Sequence, residues 1–84
     1  MESINNISLY NNQYTEDVLI SNITKLSMHS IITTQSKLSY DFINNYILNS
    51  KYHIFREDFE ITLDVIKIYQ PQYFTEYNIK HTNK

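Results

Sequence analysis

Arg56-Glu57-Asp58-Phe59-Glu60-Ile61-Thr62-Leu63-Asp64-Val65-Ile66-Lys67-Ile68-Tyr69 carries the most regular pattern in the chain. Phe59, Leu63 and Ile66, followed by Tyr69 or Gln70, recur at steps of three and four, which lines one face of an α-helix. Glu57, Asp58 and Glu60 put negative charge in the opening turn, where the free N–H groups of a helix favour it. Pro71 stops the element just past its end. The spacing predicts a helix over residues 56–69.

Working outward, Ser50 to Phe55 reads as a tight helix-to-helix loop with a β-branched residue, Ile54, near its centre. Upstream, Ile31, Leu38, Phe42 and Tyr46, with Gln35 and Asn45 in the gaps, make one face of a helix ending near Asn49. Thr33-Thr34-Gln35-Ser36 weakens it, since such residues compete for the backbone or lose rotamers in a helix. Two readings stand for the first third. In one, Thr15 caps a helix with Glu16 and Asp17 in its first turn, and the helix breaks near residues 27–30. In the other, a short helix at residues 3–10 is followed by a loop through Ile20 and one long helix over residues 22–49. Residues 1–71 are expected to form a single helical domain and 72–84 a C-terminal tail, with Tyr73, Phe74 and Tyr77 available for docking. No repeat, glycine-rich loop or low-complexity linker is legible.

At 84 residues the chain has room for one domain. A chain this short buries only about 60% of its unfolded surface and needs support from disulfides, a metal or a second subunit. Cysteine is absent, and His29, His53 and His81 form no short-spaced pair, so a second subunit is the remaining expectation. Glycine and alanine are missing while Ile, Asn, Tyr and Lys abound. That is the mark of an AT-rich coding bias, and it discounts the paired asparagines and the two Asn-x-Ser/Thr matches at Asn6 and Asn22 as signals. The net charge of −2 is spread along the chain and gives no basic patch of the kind that lets a protein hold nucleic acid by itself. No apolar run approaches the length of a membrane span, and the first residues lack a basic targeting region, so an intracellular soluble protein is expected.

Little here could carry chemistry. Asp41, Asp58 and Asp64 with His53 could in principle share a proton, yet nothing in their spacing brings them together. His29 beside Ser27 and Ser30 reads as a loop histidine. The aromatic residues at 42, 46, 59 and 69 lie on helical apolar faces, which assigns them to a core or an interface before any base-stacking role. Lys51, His53 and Arg56 form the one basic cluster, a candidate for a few phosphate contacts within a larger complex. The expectation is a non-enzymatic protein with no cofactor, no metal and no small-molecule substrate, whose partner is another protein.

Residues 36–70, and above all Ser50-Lys51-Tyr52-His53-Ile54-Phe55-Arg56-Glu57-Asp58-Phe59-Glu60-Ile61-Thr62-Leu63-Asp64-Val65-Ile66, resemble the second half of a histone fold. In that family a long central helix ends at a basic loop, and a short helix opening on an acidic residue follows. The chain is most similar to the transcription-factor and centromere members. It differs from them in having Lys51 where Arg is usual and Phe55 where Thr or Ser caps the last helix.

The resemblance implies an all-α, three-helix subunit completed by a different histone-fold partner in a handshake heterodimer, in a transcription, chromatin or centromere assembly and hence nuclear. It implies Ile31, Leu38, Phe42, Tyr46, Phe59, Leu63 and Ile66 at the dimer interface and a Lys51–Asp58 clamp across the loop. DNA would be touched only weakly, within the complex, through Lys51, His53 and Arg56. The alternative is a small monomeric helical bundle, a viral protein that inhibits a host or bacterial enzyme by surface binding.

Overall fold

The computed structural model describes residues 4–82. Among them the chain is helical and turn-like, with no strand, and the fold class is all-α. The helices are short. In order they are α1 (Asn6–Leu9), α2 (Glu16–Ser21), a 3₁₀ turn (Ile23–Lys25), α3 (Met28–Thr34), and α4 (Tyr40–Phe42), which runs into a π-helical turn (Ile43–Ile47). Two further 3₁₀ turns (Ser50–Tyr52 and Arg56–Glu60) lead to α5 (Leu63–Tyr69) and α6 (Tyr73–Thr82).

The breaks have local causes. Ser27 takes extended backbone and its hydroxyl accepts from the Ser30 amide, which starts α3 where the long helix over 22–49 was expected to continue. Thr15 caps α2 in the same way, with Glu16 and Asp17 in the first turn, as one reading of the sequence had it. The short helix of the other reading is also present, at Asn6–Leu9, with Asn5 and Ser8 capping each other. The helix expected over 56–69 is split at Ile61–Thr62. Thr62 is extended and accepts from the Val65 amide, so α5 begins afresh after a 3₁₀ turn. The expected tail is helix α6, and its Tyr73 lies in the common core.

A repeat that the residue identities conceal is visible in the backbone. Thr15, Ser39 and Thr62 each cap a helix through the amide three residues on, and they stand 24 and 23 residues apart. Two residues after each cap comes an aspartate, Asp17, Asp41 or Asp64, near the positive end of the helix. Four residues after each cap comes a fully buried aliphatic, Leu19, Ile43 or Ile66, and eight after comes another buried side chain, Ile23, Ile47 or Gln70. The cap pattern therefore recurs in three segments, here called units: α1–α2, α3–α4, and the paired 3₁₀ turns with α5, followed by α6. Units of 20–50 residues that bury their apolar faces only against neighbours are the basis of helical repeat arrays.

One core runs through the stack. Ile4, Leu9, Leu19, Leu26, Met28, Ile31, Ile32, Leu38, Phe42, Ile43, Ile47, Ile66 and Tyr73 belong to it. Each large aliphatic so buried contributes about 1.5–3 kcal/mol of hydrophobic stabilisation.

Candidate interaction surface

Glutamines join the units where a hydrophobic contact would leave loop amides bare. Gln35, at the end of α3, reaches the loop of the first unit. Its oxygen accepts from the Tyr14 amide at 2.8 Å and its nitrogen donates to the carbonyls of Leu9 (3.1 Å) and Asn12 (2.9 Å). Gln70, at the end of α5, does the same for the second unit. It accepts from the Leu38 amide at 3.2 Å and donates to the carbonyls of Ile32 (2.9 Å) and Gln35. Glu16 adds a third joint by accepting from the amide and hydroxyl of Ser39 at 2.7 and 3.0 Å. Among the described residues no buried side-chain polar atom lacks a partner.

Asp58 belongs to this set of joints. Its carboxylate is fully buried; one oxygen accepts from the Ser27 hydroxyl at 2.8 Å and the His29 amide at 3.0 Å, the other from the Phe55 amide at 3.2 Å. The expected Lys51–Asp58 clamp is thus replaced. Asp58 turns inward to the start of α3, and Lys51 is exposed with its ammonium 5.6 Å from the Tyr52 ring centroid. The physical reason is that the 3₁₀ turn over Arg56–Glu60 rotates Asp58 away from the loop and towards the α3 amides. Of the other two basic-cluster residues, His53 is half-buried with Nε2 donating to the Ile47 carbonyl at 2.6 Å, and Arg56 is exposed.

The seven residues expected at a dimer interface fall into two groups. Ile31, Leu38, Phe42 and Ile66 are buried in the chain's own core, and Tyr46 is half-buried between the rings of Phe42 (5.3 Å) and Tyr52 (5.2 Å). Phe59 and Leu63 are exposed, at 71% and 42%. Around them the third unit also exposes Ile54 (56%), Ile68 (71%) and Tyr69 (48%). Phe59 and Ile68 occupy repeat positions that are exposed in every unit yet polar in the other two: Asn12 and Ser36 correspond to Phe59, Ser21 and Asn45 to Ile68. His53 meets the Phe59 ring edge-on at 6.2 Å.

An aromatic seam holds α6 in place. Tyr73 stacks on Tyr40 at 5.0 Å, packs against Phe74 and Tyr77, and donates its hydroxyl to Asn44 at 2.8 Å. Burial, and the neighbouring phenols of Tyr40 and Tyr77, push the Tyr73 hydroxyl above its ordinary value. Lys80 stands 5.5 Å from the Tyr40 ring centroid.

Sequence reasoning missed Gln35 and Gln70 as structural residues and missed the three-fold cap pattern. The signal for the second was present as Thr/Ser-x-Asp followed by two apolar residues. Among the described residues no helix is long and apolar enough to cross a membrane, and no group of three or more acidic or histidine side chains is placed to hold a metal ion. Comparison with protein-family models, curated proteins and solved structures gives no match.

Proposed function

We propose that this chain is a non-enzymatic protein–protein interaction module, which folds by itself and binds a protein partner through the third unit. The observation that carries the reading is the placement of Phe59 and Ile68, each 71% exposed, at repeat positions held by Ser and Asn in the other units. A large side chain in water at such a position contributes nothing to the core, whereas an aromatic anchor seated in a partner's pocket is the usual source of binding energy.

The histone-fold-like form of this proposal is a handshake heterodimer in a nuclear transcription, chromatin or centromere complex. It asks Ile31, Leu38, Phe42 and Ile66 to cross into a partner, and the single chain already buries them. The closed core favours the second form, a monomeric helical module that binds, and in one version inhibits, its target by surface contact. DNA has little part in either form, because Lys51 and Arg56 alone neutralise few phosphates.

Two measurements test the proposal. The purified chain, by sedimentation and thermal melting at low concentration, is expected to be a monomer with one cooperative transition. An unfolded chain that orders only with a second protein would restore the handshake. With its partner identified by native co-purification and then purified, Phe59→Ser is expected to weaken the reconstituted complex by about tenfold or more. Unchanged affinity would remove the third unit from the interface.

A further inference from the structure

No further inference is drawn: the strongest candidate, the open groove along α6 lined by Gln72, Thr75, Glu76, Ile79 and Lys80, has its one acid and one base paired with each other at 3.9 Å, and nothing in the structure shows what covers it.

Discussion

Residues 4–49 and residues 50–69 are built on the same repeat and solve different problems with it. The first two units pair a helix with a helix and bury most of their large aliphatics, Ile7 and Ile20 excepted. Their loops are closed by Gln35, Gln70 and Glu16. The third unit replaces its first helix with two 3₁₀ turns, which have poorer hydrogen-bond geometry, and leaves Ile54, Phe59, Leu63, Ile68 and Tyr69 in water. It joins the others through polar contacts, Asp58 at one end and Gln70 at the other, and through buried Ile66 with half-buried Tyr52, Ile61 and Val65 packed on the core. Stability is thus concentrated in one part of the stack and binding potential in another, as expected where a surface must stay available.

The comparison breaks most severely at Asp58. Asp58→Ala strands the Ser27 hydroxyl and the His29 and Phe55 amides, and a buried donor left unpaired costs about 1–3 kcal/mol. Loss of roughly 3 kcal/mol or more is expected by urea denaturation. Hydrogen exchange should show the damage first over residues 50–69. Equal loss of protection throughout would mean that the three units unfold as one.

Next in size are the buried aliphatics four residues past the caps. Ile43→Ala should cost about 2–5 kcal/mol, because Ile43 is fully buried in the shared core. Ile66→Ala should fall at the low end of that range, since Val65 and Tyr69 beside it are partly in water and can shift. A larger loss at Ile66 would contradict the looser packing assigned to the third unit.

Smaller again are the caps. Ser39→Ala and Thr62→Ala each remove an N-cap, worth about 0.5–2 kcal/mol. Ser39 should cost more, because its hydroxyl also donates to Glu16. Thermal melting of the two variants gives the order. Phe59→Ser, by contrast, should leave stability of the free chain within about 0.5 kcal/mol, as for an exposed site.

Much of this design was legible in the sequence, and the losses are instructive. The all-α class and the apolar faces that carry Ile31, Leu38, Phe42 and Ile66 follow from apolar spacing, although those faces were expected to meet a partner. The Thr15 cap with its acids was one of two readings. Where that reading put a break, near residues 27–30, the structure starts α3, α2 having ended at Ser21. The split at Thr62 did not emerge, because Phe59, Leu63 and Ile66 keep helical spacing across a break that only the Thr62 cap enforces. The expected C-terminal tail, with its aromatics available for docking, is a helix because Tyr73 stacks on Tyr40, a partner far off in sequence, and Tyr77 packs on Tyr73. Gln35 and Gln70 fall on or beside apolar helix faces in the sequence, but their role as amide and carbonyl partners becomes visible only when the loops they satisfy are placed beside them. The absence of glycine also hid a turn: Lys37, between α3 and α4, adopts φ 60°, a left-handed conformation normally given to glycine or asparagine.

The last expected effect concerns α6 and is set by pH. Burial, with the Tyr40 and Tyr77 phenols beside it, raises Tyr73 above its ordinary value of 10.0, so the folded chain holds this proton more tightly than the unfolded chain does. Stability falls with pH wherever the native state binds more protons, so this contribution is intact below 10.0 and is lost as pH climbs past it. Tyr73→Phe removes the ionising group and the hydrogen bond to Asn44 together. At neutral pH the variant should be less stable by about 0.5–1.5 kcal/mol, the net worth of one hydrogen bond. Above 10.0 the gap should narrow, because wild type must then either keep a buried phenol protonated or release α6. Every other ionisable group is common to the two proteins, so only the difference between the two melting curves is read. Parallel curves through that range would mean that Tyr73 ionises as freely in the folded chain as in the unfolded one, and that α6 is not held by a buried phenol.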